Sequence, residues 1–191
     1  MYYKVYNCLI LFSEEHSSNL LNTLKSEYVS NTHVIELKID TSSQKKHFFD
    51  GFCDNQTHIK RNYGYYYKKN IGFFEFFEGN KIQIYPLRVI DDEFVQVLLN
   101  YPLACIFSQM NYLCLHGSAV YYKDETYMFP GKTMLGKSSI AAKFLSEGAK
   151  LITEDTCIIS INNNQAFIYP SYPLINLSPE INSKYNLFKK V

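Results

Sequence analysis

Gly131-Lys-Thr-Met-Leu-Gly136-Lys137-Ser138 fits the pattern G-x-x-x-x-G-K-[ST] without a gap. No other stretch constrains the chain as much. A turn of this kind must aim backbone N–H groups at phosphate oxygens, while a helix start adds positive potential and a lysine reaches the terminal phosphates. Each requirement has a residue. Gly131 and Gly136 allow torsions closed to other residues, Lys137 carries the charge, and the Ser138 hydroxyl is a ligand type that suits Mg²⁺. The loop as a whole, Gly131, Lys132, Thr133, Met134, Leu135, Gly136, Lys137 and Ser138 with the adjoining Ser139, is the expected nucleotide cradle.

The flanks agree. Thr126 to Pro130 is apolar and aromatic enough for a buried strand, and Lys137 to Glu147 puts Ile140, Ala141, Phe144 and Leu145 on one helical face. Gly148 is the stop. Beyond it, Lys150-Leu-Ile-Thr153 reads as a strand that delivers Glu154 and Asp155 at its carboxyl end, where open α/β sheets hold ligands. Cys157 to Ile161 and Gln165 to Tyr169, joined by Asn162-Asn-Asn164, read as a hairpin, and Pro170, Pro173 and Pro179 punctuate the tail.

The front of the chain is different in character. Met1 to Phe12 reads as one opening strand. A helix is expected behind a Ser18 cap, with Leu20, Leu21, Leu24 and Tyr28 on one face and Asn31-Thr32 as its stop. His33 to Asp40 alternates Ile35, Leu37 and Ile39 with charged residues, as a half-buried strand does. Residues 41 to 60 are polar, carry no clear period and read mostly as loop. Arg61 to Lys69 mixes tyrosines with basic residues, a combination that single-strand binders use, but the tyrosines and the Ile71–Phe77 and Lys81–Tyr85 segments after them favour edge strands and a hairpin. Asp91 to Leu99 reads as a helix that Pro102 interrupts, with a second piece from Leu103 to about Tyr112.

With 191 residues the chain is long enough for a substantial core. The expected division is an aromatic-rich α+β region over residues 1–100 and a nucleotide-handling core over 101–191. Nineteen basic residues against eighteen acidic ones give no charge excess that would call for nucleic acid or an anionic membrane. No apolar run reaches the length of a transmembrane helix, and Met1-Tyr-Tyr-Lys-Val lacks the form of a signal peptide, so the expected location is the cytoplasm. Cys8, Cys53, Cys105, Cys114 and Cys157 form no C-x-x-C pair and read as reduced thiols, and the histidines at 16, 33, 47 and 58 show no ligand spacing.

From about residue 103 to 179 the chain resembles the HPr kinase/phosphorylase family, particularly its smaller relatives in peptide-modification (lasso-peptide-type) gene clusters. Four segments carry the resemblance: Leu115-His-Gly-Ser-Ala-Val120, the loop at 131–138, Gly148-Ala-Lys-Leu-Ile-Thr-Glu-Asp155 and Tyr169-Pro-Ser-Tyr-Pro-Leu-Ile-Asn-Leu177. It implies an α/β fold like phosphoenolpyruvate carboxykinase, with a mixed central sheet, flanking helices and a phosphate loop. The implied activity is ATP- and Mg²⁺-dependent transfer of the γ-phosphate to a Ser or Thr hydroxyl of a protein or peptide, with homo-oligomers compatible. Carried over, Lys137 and Mg²⁺ would neutralise the β- and γ-phosphates, Glu154 would act at the acceptor, Asp155 and Ser138 would hold the metal, and His116 would lie near the phosphates. Three departures are visible. Met134 stands where the family commonly has glycine, Glu154 where it has aspartate, and the family continues past the position of Val191, so the core is expected to be truncated relative to it. These departures motivate the competing reading, a nucleotide-binding regulatory module without catalysis; a small-molecule kinase of the same fold is the third.

Overall fold

A computed structural model describes residues 2–6, 8–12, 18–26, 33–40, 52–172, 175 and 177–185. The chain divides into two compact units, Met1–Tyr112 and Leu113–Val191. The expected boundary at residue 100 therefore moves, because that position lies inside a helix of the first unit.

The first unit is an eight-stranded mixed sheet. It opens as a hairpin, β1 (Tyr2–Val5) and β2 (Cys8–Phe12), with Val5 opposite Cys8, and not as the single strand expected. Tyr6 makes the turn in the left-handed region (φ 49°) and buries its ring edge-on to Phe107 at 5.6 Å. Helix α1 (Asn19–Leu24) is only six residues long, because the chain turns extended at Lys25 and pairs with β1 as β3 (Lys25–Ser26). Tyr28 and Asn31-Thr32, expected in and after that helix, lie outside the described residues, as do His16 and His47. Strand β4 (Val34–Ile39) follows with the expected alternation, Ile35 and Leu37 buried.

Four further strands, antiparallel to one another in sequence order, complete this sheet: β5 (Gln56–Ile59), β6 (Tyr63–Lys68), β7 (Gly72–Phe77) and β8 (Lys81–Pro86). The order is β3-β1-β2-β4-β8-β7-β6-β5, with β4 parallel to both β2 and β8. The 41–60 segment thus contributes the edge strand β5, while the tyrosine-rich stretch expected at an edge is the second strand in; residues 41–51 lie outside the described ones. Helix α2 (Asp92–Gln109) runs unbroken through Pro102. Pro102 is itself buried, and Leu98, Leu99, Leu103 and Ile106 around it are fully buried, so tertiary packing outweighs the cost of about 3 kcal/mol that an interior proline carries. Among the described residues no helix is long and apolar enough to cross a membrane.

The second unit holds β9 (Leu113–Tyr122), β10 (Glu125–Pro130), α3 (Lys137–Ser146), β11 (Lys150–Thr153), β12 (Thr156–Asn162), β13 (Gln165–Ile168) and α4 (Pro179–Tyr185). Its sheet is α/β in connection but antiparallel in every described pairing, which corrects the mixed sheet expected for the core. The turns explain this. Lys123-Asp124 and Asn163-Asn164 both have φ between 49° and 62°, forming two-residue loops that can join only antiparallel neighbours.

Strand β9 lies between β10 and β11 and runs against both. The segment from β10 through α3 to β11 is therefore a crossover with a strand inserted in its middle, and β10 and β11 point the same way. Their carboxyl ends, followed by the 131–136 turn and by Glu154-Asp155, arrive at one end of the sheet. Strand β9 passes that end at His116-Gly117, opposite Thr156 and Pro130. Helix α3 closes one sheet face through a cluster of Val120, Ala141 and Ile175 with Phe129, Phe144 and Leu145. Its buried residues are Lys137, Ala141 and Ala142, with Phe144 and Leu145 partly buried; Ile140, expected inside, is 44% exposed, on the side of the helix away from Ala142.

Candidate functional site

The turn between β10 and α3 has two residues in the left-handed region, Met134 (φ 68°) and Gly136 (φ 81°). Gly136 is the cap of α3 and offers no side chain to the helix-start N–H groups, which is the arrangement that leaves such groups to an anion. Met134 occupies the torsion that a glycine at this position would take more easily, and its side chain is 97% exposed. Leu135 is exposed beside it.

Lys137 is buried, and its Nζ donates to the Lys132 carbonyl oxygen at 2.7 Å, across the mouth of its own loop. One residue on, the Ser138 hydroxyl donates to Glu154 Oε1 at 2.7 Å. This contact ties the start of α3 to the end of β11. Glu154 is itself 7% exposed, so its carboxylate sits beneath the loop and not in open solvent. Its charge is also felt on the far side: the Cys157 thiol is pushed up to about 12, first by burial and then by the neighbouring Glu154 carboxylate.

Asp155 takes the left-handed region (φ 69°), which aspartate tolerates better than most residues. Thr153 Oγ1 on the Thr156 carbonyl (2.6 Å) and Thr156 N on the Glu154 carbonyl (2.9 Å) hold that turn. The two adjacent acids consequently point to different partners. Asp155 Oδ1 lies 3.1 Å from His116 Nδ1, and the Asp155 carbonyl lies 2.7 Å from the same nitrogen. A carbonyl only accepts, so Nδ1 carries a proton, and in the neutral tautomer that this contact selects Nε2 is the acceptor. That nitrogen faces Thr133 Oγ1 at 3.4 Å.

The backbone makes the same junction. Gly131 N donates to the His116 carbonyl (3.1 Å) and Gly117 N to the Asp155 carbonyl (3.2 Å). Gly117 is required by space, since a Cβ there would stand 2.9 Å from the Phe129 carbonyl oxygen. Leu115, His116, Pro130, Gly131, Lys132 and Thr133 line an open cleft of about 520 Å³ beside the loop.

No family model, curated protein or solved structure matches this chain.

The site therefore stands on its own geometry. Of the residues expected from sequence, Ser138 and Glu154 form one pair, His116 and Asp155 another, and Lys137 lies in the loop between them in sequence. Asp155 was expected to share a metal with Ser138; in the structure the carboxylate that meets Ser138 is that of Glu154, while the carboxylate of Asp155 meets His116. Sequence reading placed Thr133 only in the nucleotide cradle and Gly117 only among the residues that carry the resemblance. Thr133 as partner of His116 had no signal, whereas Gly117 had one, a glycine inside a strand next to a histidine. As for a metal, Ser138 Oγ and Glu154 Oε1 are hard oxygen donors of the kind Mg²⁺ takes. Among the described residues no group of three or more His, Cys, Asp or Glu could hold an ion, and Mg²⁺ bound with phosphates needs only one or two such ligands.

Proposed function

We propose that Leu113–Val191 is the catalytic unit of an ATP- and Mg²⁺-dependent kinase that transfers the γ-phosphate to a Ser or Thr hydroxyl of a protein or peptide. Its fold would be of the HPr kinase/phosphoenolpyruvate carboxykinase type and its location the cytoplasm. The observation that carries this reading is the 2.7 Å contact from Ser138 to Glu154, which couples a phosphate-loop helix start to a buried carboxylate at the end of the next strand.

The residues divide the work as follows. Loop N–H groups and the start of α3 hold the phosphates. Lys137 Nζ, now on the Lys132 carbonyl, exchanges that oxygen for a phosphate oxygen. Ser138 and Glu154 hold Mg²⁺, which when bound neutralises charge on the β- and γ-phosphates. His116, oriented through Nδ1 by Asp155, accepts the acceptor hydroxyl's proton at Nε2. Transfer of this kind is catalysed mainly by positioning and charge neutralisation, and these four groups supply both.

The test is transfer of labelled γ-phosphate from ATP, with Mg²⁺, to candidate peptides. Replacing Lys137 with Ala should lower transfer by roughly 100-fold or more, since it removes a charge aimed at the transferring group. Equal transfer by the variant would defeat the reading. ATP binding without transfer to any hydroxyl acceptor would instead favour the nucleotide-binding module.

A further inference from the structure

The basic nitrogen of the histidine faces the loop's own hydroxyl. His116 Nε2, the acceptor in the tautomer that keeps the proton on Nδ1 against the Asp155 carbonyl, meets Thr133 Oγ1 at 3.4 Å. Thr133 is exposed, lines the open cleft, and sits between the two glycines of the loop that is read as the triphosphate cradle. Asp155, His116 and Thr133 thus form a chain of carboxylate, imidazole and hydroxyl. A hydroxyl oriented this way is an activated nucleophile, and here it belongs to the element that would carry the phosphoryl donor.

We infer that Thr133 is an intramolecular phosphoacceptor, a site of self-phosphorylation within the loop. The inference rests on the proposed reading that this loop binds ATP. In the step, Thr133 Oγ1 forms a bond to the γ-phosphorus while the bond from that phosphorus to the β,γ-bridging oxygen breaks. ADP leaves with the electron pair, and the threonine proton passes to His116 Nε2. The product carries a charge of about −1.5 to −2 inside the loop, which opposes the return of a triphosphate. The modification would therefore limit the unit's own activity.

The sequence makes the site readable by digestion. Cleavage after Lys132 and Lys137 releases Thr133-Met-Leu-Gly-Lys137, in which Thr133 is the one hydroxyl residue. The full chain, freed of phosphate and incubated with ATP and Mg²⁺ but no acceptor, should yield this peptide with one added phosphate, approaching one per chain. Thr133→Val should remove the signal and His116→Gln should slow its appearance at least tenfold, with ATP binding measured in parallel by equilibrium dialysis. An unmodified peptide from a chain that binds ATP overturns this inference and leaves the kinase reading intact. A chain that binds no ATP overturns both. In Lys137→Ala cleavage after Lys132 and Lys143 releases residues 133–143, which also hold Ser138 and Ser139, so fragmentation assigns the position; phosphate persisting on Thr133 in that variant identifies a foreign kinase and also overturns the inference.

Discussion

Glu154 and Asp155 are adjacent, yet one residue's backbone torsion gives them separate partners. With Asp155 at φ 69°, its carboxylate turns to His116 while that of Glu154 reaches Ser138. No residue pattern announces such a torsion, so the acids were legible as a pair and the contact each makes was not. Glu154→Gln tests the assignment. The amide oxygen can still accept from Ser138, so folding should persist, whereas Mg²⁺-dependent transfer should fall by about 10- to 100-fold, the loss typical when support of a bound metal is weakened. Unchanged metal dependence would place the metal elsewhere. Cys157 offers an independent check on the buried charge. Its thiol stands at about 12 against an ordinary 9.0. Since the folded value is raised, the group's stabilising contribution is complete below the ordinary value and is lost as pH rises through about 12. Alkylation of the native protein should therefore spare Cys157 across the mildly alkaline range while exposed Cys53 reacts. Rapid native labelling of Cys157 would show that the thiol is not buried beside Glu154.

Elements whose form is set by neighbouring residues were legible, and those set by distant ones were not. The crossover helix, its Gly148 stop and the Asn-rich turn before β13 all follow local chemistry. By contrast, α2 continues past Pro102 because distant residues bury both its halves, and α1 ends early because Lys25 finds β1 as a partner. The cap of α1 was legible in kind but not in extent. Ser18 takes the Leu21 N–H (3.3 Å) and also donates to Asp92 Oδ1 (2.6 Å), a carboxylate that receives the Leu20 N–H (3.0 Å) as well. Two helix starts far apart in sequence share one polar junction. Ser18→Ala should destabilise the first unit by about 1–2 kcal/mol, as read from a denaturant midpoint at constant slope. A change within a few tenths would mean that water replaces the hydroxyl without loss.

The two units differ in how their sheets are built. In Met1–Tyr112 the parallel pairs join β4 to strands on either side, and the order of eight strands has no trace in periodicity. In Leu113–Val191 the insertion of β9 between β10 and β11 is likewise invisible to pattern reading, yet it brings His116 to the loop and the acids. The motif was visible in the sequence; the histidine beside it came from topology. The claim on which the account depends is that this turn receives a triphosphate. The direct measurement is a calorimetric titration of the full chain with ATP, with and without Mg²⁺, beside Lys137→Ala. The account predicts saturable binding at one site per chain, tighter with Mg²⁺ and at least about tenfold weaker in the variant, a loss of about 1.4 kcal/mol or more. Absence of binding, or equal binding by the variant, would contradict it.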